Sequence, residues 1–264
     1  MDIKKLVGKI QTKKFKNLDE KTVVEKVNKF LNVNPRIKLE NLTEKSSDFK
    51  KIIKYVKKEM HRSYGAFQSD VSKRERLLGK LKNNPTNEEI KLNILKTHSS
   101  TRERLDFYNK LKKDLSEIIE GKSILDLGSG LNPLMFDENE ITAVEFNKND
   151  VDFLNEYFKI KNLKSKSILI DLNREYEKLK NMKTDVVFAL KIFDIIDTKK
   201  IESIIKNLDA KYLIASFSTK TLGGRWMNLP RRTGFQKMLR RLNLSYRTLS
   251  YENELFYIVE LAKV

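Results

Sequence analysis

Residues 123–146 leave this chain few folds to choose from. An apolar run, SILDL, ends in the turn GSG, and a second apolar run, ITAVEF, closes on Glu145, nineteen positions after Asp126. A strand, a Gly-x-Gly turn and an acid at the end of the next strand form a nucleoside cradle. Gly128 and Gly130 let the backbone approach a ligand, and Glu145 is placed to accept hydrogen bonds from two ribose hydroxyls. A dinucleotide site needs a third glycine where a helix meets the pyrophosphate, but here the chain reads Asn132, Pro133, Leu134. S-adenosylmethionine (SAM) has no phosphate and carries a sulfonium and an ammonium, so the acidic Asp126 beside the turn suits it better. The bland alternative is that Asp126 and Glu145 only cap helices and the glycines only turn the chain.

From Gly121 onward short apolar runs alternate with amphipathic segments, and six of the nine glycines fall there. Strands are expected near 122–127, 141–145, 167–170, 185–190, 211–216, 244–250 and 254–261, with helices near 148–158, 173–180, 197–207 and 230–242. This alternation belongs to a parallel α/β sheet with crossover helices. The short link between the last two strands predicts an antiparallel pair. The expectation is therefore an α/β fold: the class I SAM-dependent methyltransferase Rossmann-like sheet of seven strands, preceded by a helical domain. Domain bounds of 1–96 and 97–264 follow.

The N-terminal part repeats apolar residues at helical spacing, as in Val23, Val27, Phe30 and Ile52, Val56, on a lysine-rich background. KNNPT at 82–86 reads as a turn between helices. HSSTRERLDFYNKLKKDLSEIIEG reads as one helix, with capping-box spacing between Ser100 and Glu103 and Gly121 after its end.

The chain has 264 residues and a formal net charge of +18, of which residues 1–75 carry +10. That favours a polyanionic partner. Residues 216–251 contain no Asp or Glu but hold Lys220, Arg225, Arg231, Arg232, Lys237, Arg240, Arg241 and Arg247, interleaved with Trp226 and Phe235. Such a stretch suits phosphate and base contact, although charge runs are commonly just solvated faces. No cysteine is present and only His61 and His98 offer imidazole, so no zinc or other metal site is expected. No signal-peptide core or membrane-length apolar run occurs, which points to a cytoplasmic protein.

Other positions are open to two readings. Asp171, at the end of ILIDLN, either holds an adenine amino group or caps the following segment. The fourth strand brings Leu190, Lys191 and Phe193 to the end of the sheet where a methyl acceptor enters, and a lysine breaking an apolar run calls for a partner.

Taken together, THSSTRERL at 97–105, ILDLGSGLNPL at 124–134, FALKIFDIID and SFSTKTLGGR at 216–225 resemble the FmrO family of aminoglycoside-resistance 16S ribosomal RNA guanine-N7 methyltransferases. The resemblance is clear over 97–225. Ser129 stands where the family often has Cys, and residues 231–242 are more basic than expected. The resemblance implies a helical extension docking on the small ribosomal subunit, SAM as cofactor with S-adenosylhomocysteine as product, and methylation near the decoding site. It also implies Arg102 or Arg104 at the SAM carboxylate, and Lys220 and Arg225 on the substrate side. Guanine N7 keeps an in-plane lone pair, so no general base is named. Pro133, Phe193 and Trp226 are the candidate stacking surfaces for an extruded base. A monomer is the default. Housekeeping and resistance relatives stand level, and methylation of tRNA, a protein or a small molecule is the alternative.

Overall fold

The structure is a computed structural model that describes every residue except 1, 13, 14, 16, 17, 19, 62, 63, 65, 66, 68, 69, 221–225, 228–231 and 262–264. Arg225 and Arg231 thus lie outside the described residues.

Seven strands form one sheet: β1 (Ile124–Leu127), β2 (Ile141–Glu145), β3 (Lys166–Leu169), β4 (Val186–Leu190), β5 (Tyr212–Ser218), β6 (Tyr246–Ser250) and β7 (Glu254–Glu260). Their order is β3-β2-β1-β4-β5-β7-β6. The first five are parallel, β7 runs antiparallel to β5, and β6 pairs antiparallel with β7. All seven fall where the apolar runs put them, because each run is short and β1 and β4 are buried throughout. The order reverses between β1 and β4, so the crevice for a ligand opens past their carboxyl ends.

Ten α-helices surround the sheet among the described residues: α1 (Ile3–Ile10), α2 (Glu20–Val33), α3 (Ser47–Met60), α4 (Val71–Asn83), α5 (Glu88–Leu95), α6 (Ser99–Arg104), α7 (Tyr108–Ile119), α8 (Lys148–Ile160), α9 (Thr198–Lys206) and α10 (Thr233–Arg241). KNNPT is indeed a turn between helices: α4 stops at Asn83, and the Asn87 side chain caps α5 by accepting from Ile90 N at 2.9 Å.

Two expectations are corrected. The helix expected near 173–180 is a 3-10 turn, Tyr176–Asn181. The single helix expected within 98–121 is broken into α6 and α7 at Leu105–Phe107. The break serves tertiary contacts that override helical propensity: Phe107 stacks on Tyr251, 4.5 Å between ring centres, while Arg104 turns inward. No capping box forms either. His98 stands at the N-cap of α6 without a side-chain cap bond, Ser100 is buried, and Glu103 reaches Lys191.

The apolar packing divides the chain before α4. Leu6, Val23, Val27, Ile52 and Val56 belong to a helical cluster made by α1, α2 and α3. Leu78 and Leu81 of α4 and Ile94 and Leu95 of α5 instead share a cluster with Ile124, Ile141 and Phe188 of the sheet. Two buried polar links lie beside this boundary, and the second of them crosses it. Arg74 on α4 pairs with Asp150 on α8 at 2.6 Å and lies over the Phe153 ring. Asn147 donates to the Tyr64 hydroxyl at 2.6 Å. No helix among the described residues is long and apolar enough to cross a membrane.

Arg74 and Asp150 are both almost wholly buried, so removing one charge strands the other. Arg74→Ala is expected to lower stability by about 3–5 kcal/mol in urea unfolding, and the double change Arg74→Met with Asp150→Leu to recover most of it.

Candidate nucleotide and acceptor site

The turn after β1 is built by backbone conformation. Gly128 and Gly130 have φ of +61° and +56°, in the left-handed region that side chains disfavour. Space is also closed to a side chain: a Cβ on Gly128 would sit 2.5 Å from Ile192 Cδ1, and one on Gly130 would sit 2.7 Å from His98 Cε1. Glu145, at the end of β2, accepts from the Gly130 amide at 2.5 Å and from the Ser129 hydroxyl at 3.3 Å. Burial, followed by the neighbouring Asp150, pushes its carboxyl above the usual range.

Asp126, at the end of β1, accepts from Asn132 Nδ2 at 2.8 Å, and its Oδ1 is buried with no partner among the described residues. Burial pushes its pKa up to about 7, against the opposing pull of Asn132 and Arg104. A buried acceptor left unused by the fold calls for a donor from outside it.

Two adjoining cavities meet at this turn. One is lined by Tyr64, His98, Arg104, Glu145, Leu190 and Lys191, among others. The other is lined by Val144, Ile170, Asp171 and Leu172, and is roofed by Thr22, Glu25 and Lys26 of α2. Gly128, Phe146, Ile192 and Ile195 line both. Asp171 borders the second cavity, and its side chain accepts from Asn173 N at 2.9 Å.

Beneath the first cavity lies a buried charge cluster. Arg104 makes a bidentate contact to Glu254 through Nε and Nη2, at 2.8–3.0 Å. Lys191 Nζ lies 3.3 Å from Glu254 and 2.7 Å from Glu103, and Ser216 donates to Glu254. Burial works to raise the Glu254 carboxyl, but Arg104 and Lys191 outweigh it and hold it low. Lys191 itself has φ of +61°, its amide donating to Ser216 Oγ at 3.1 Å and to Ser216 O at 3.0 Å. The partners demanded by a lysine in an apolar run are thus Glu103 and Glu254.

The remaining residues singled out in the sequence are scattered more widely. Arg102 is exposed on α6. Pro133 is buried in the 3-10 turn Asn132–Met135, and Phe193 is buried against Phe235, 5.9 Å between ring centres. Trp226 is exposed, with Lys220 Nζ 4.7 Å from its ring centre and 2.8 Å from Glu252. Among the described residues no cluster of three potential metal ligands occurs.

Sequence reasoning passed over several residues here. His98 figures in the sequence only as an imidazole weighed for metal binding and as part of a motif, yet its ring packs on Gly130 and stacks with Phe67, and burial pushes its pKa down to about 3. Glu254 opens the apolar run ELFYIVE, and the argument that flagged Lys191 applies to it equally.

Comparison with known proteins settles the family. The profile described as ribosomal RNA methyltransferase (FmrO) matches residues 36–258. The chain belongs to this family. A 16S rRNA (guanine(1405)-N(7))-methyltransferase of Proteus mirabilis is 25% identical over 201 residues, covering 67% of this chain and 71% of that protein. The 16S rRNA methyltransferase RmtF, solved in complex with S-adenosyl-L-homocysteine, superposes with a TM-score of 0.80 at 22% identity, covering 99% of this chain and 100% of that one. An rRNA methylase from Escherichia coli gives a TM-score of 0.73 at 16% identity, with 99% and 100% covered. These likenesses show that the FmrO-family protein has the same fold from end to end, N-terminal helices included.

Two outcomes test the site. Gly128→Ala adds backbone strain of about 1–3 kcal/mol and a clash with Ile192, so affinity for S-adenosylhomocysteine by calorimetry should fall at least about tenfold. Asp126, with its pKa raised from 3.8 to about 7, keeps its proton in the fold where the unfolded chain has lost it. Its contribution to stability is therefore complete below about pH 4 and is lost as pH rises through about 7. In Asp126→Asn that part of the pH slope in urea unfolding should vanish.

Proposed function

We propose that this FmrO-family protein is a SAM-dependent methyltransferase that methylates a guanine N7 of 16S ribosomal RNA near the decoding site. The cradle around the β1 turn carries the reading. Gly128 and Gly130 have no room for a side chain, Asp126 Oδ1 is an unused buried acceptor, and Glu145 lies across the turn. This donor-poor, acid-rich set suits a cationic nucleoside and not a phosphate ester. Asp126 takes the amino-acid end, Glu145 the ribose hydroxyls, and Asp171 with Leu172 the adenine side. Leu190 and Arg104 wall the methionine side, with Arg104 placed to meet a carboxylate. Arg102 is exposed and suits a role outside the cavity.

When bound, SAM supplies a methyl group on a positively charged sulfur. The chain's own task is to exclude water and align the acceptor. His98 is buried and held neutral, and the Lys191 ammonium is paired with Glu103 and Glu254. That agrees with N7 chemistry, in which the lone pair attacks without deprotonation. Lys220 and the exposed Trp226 form the substrate side, with Trp226 rather than Pro133 or Phe193 as the accessible stacking surface. The helices of residues 1–64, with the heaviest positive charge, dock on the small subunit. The enzyme works as a monomer in the cytoplasm. The P. mirabilis relative supports the nucleotide, the base atom and the RNA.

The test is incubation with methyl-labelled SAM and purified small ribosomal subunits, followed by mapping of the labelled base. Label at N7 of a 16S guanine, reduced at least about a hundredfold in Glu145→Ala by loss of the ribose contact, is the expected result. Label in tRNA or protein alone would replace the substrate.

A further inference from the structure

The cavity on the far side of the β1 turn is closed by a helix from outside the catalytic sheet. Gly128, Phe146, Ile192 and Ile195 line this cavity and the one that holds Glu145, so a nucleoside with its ribose at Glu145 lays its base here. Val144, Ile170, Leu172 and Ile196 make its sides apolar, a lining that suits the faces of a flat ring. Two acids line it as well: Asp171, which follows β3, and Glu25 on α2.

One guanidinium joins the two acids. Arg174 Nε donates to Glu25 Oε2 at 2.6 Å and lies 3.4 Å from Asp171 Oδ2, while its Nη2 donates to the Lys21 carbonyl of α2 at 2.9 Å. Arg174 Nη2 also meets Glu25 Oε2. Every one of these contacts to Glu25 falls on Oε2, which leaves Oε1 with no partner among the described residues. Asp171 registers its neighbour. Burial raises its carboxyl above the usual range against the pull of the Asn173 amide and Arg174, and the charge on Glu25 adds to the rise.

We propose that Glu25 binds the cofactor from the N-terminal helices, its Oε1 accepting one N–H of the adenine 6-amino group while Asp171 accepts the other. The proposal rests on the SAM site given above and adds to it a residue from outside the catalytic sheet. The two N–H bonds of that amino group diverge in the plane of the ring, so satisfying both takes acceptors on two sides. The segment after β3 supplies one acceptor and α2 supplies the other. A 6-oxo purine turns carbonyl lone pairs towards both acids and is repelled, so the pair selects adenine by rejection as well as attraction. Arg174 orients the Glu25 carboxylate through charge-assisted contacts and offsets the repulsion between the two acids.

The competing role is structural, since through Arg174 the Glu25 side chain fastens α2 over the cavity, and closure alone raises affinity for any ligand inside. Calorimetry on the full chain with S-adenosylhomocysteine and with its 6-deamino analogue, which carries purine in place of adenine, separates the two roles. Wild-type protein should prefer S-adenosylhomocysteine by about tenfold or more, since the analogue loses hydrogen bonds to charged groups. In Glu25→Ala that preference should shrink about fivefold or more, whatever happens to the two affinities separately. Glu25→Gln keeps an acceptor oxygen without the charge and should show an intermediate preference. Alanine and glutamine are both good helix formers, so α2 should persist in either variant. Equal loss on both ligands, or no preference in wild type, overturns the proposal and leaves the Glu25–Arg174 pair as a fastening. Wild-type protein that binds neither ligand overturns the underlying cofactor reading and the proposal with it.

Discussion

A carboxylate with no exposure at all cannot sit in a protein interior unless cations and donors surround it, and Glu254 meets that demand with Arg104, Lys191 and Ser216. These partners come from α6, the end of β4 and β5, while Glu254 itself begins β7. The cluster therefore ties the segment that enters the catalytic sheet to the strand that nearly completes it. It also explains two local irregularities. Helix α6 stops after one and a half turns because Arg104 must face inward, and Lys191 adopts a left-handed backbone so that its amine can reach the same acid. A backbone held at such an angle costs energy, and it persists because the surrounding bonds over-determine it.

The second constraint is the roof. The cavity that Asp171 borders is covered by Thr22, Glu25 and Lys26 of α2, and Tyr64 and Phe67 line the other. Arg174 pairs with Glu25 and also lies 3.4 Å from Asp171, so one guanidinium joins the roof to the floor. The N-terminal helices thus have a face on the cofactor site as well as a charged exterior. A ligand that contacts both sides stabilises their closure, and a partner that moves the helices changes the fit of the ligand by the same free energy.

Much of this was legible in the sequence, for physical reasons that can be named. The strands, the β1 turn and the acid at Glu145 depend on local apolar runs and on glycine backbone freedom, which short segments carry by themselves. What was not legible depends on distant partners. Nothing in residues 99–107 announces that Glu103 and Arg104 will bind Lys191 and Glu254 from elsewhere, and Ser100 with Glu103 has the spacing of a cap it does not make. Likewise α4, as well as α2 and α3, repeats apolar residues at helical spacing, and periodicity does not say which core an apolar face will join. Pro133 and Phe193 show a related limit: an aromatic or a proline near the site has the same letter whether it stacks a base or fills the core.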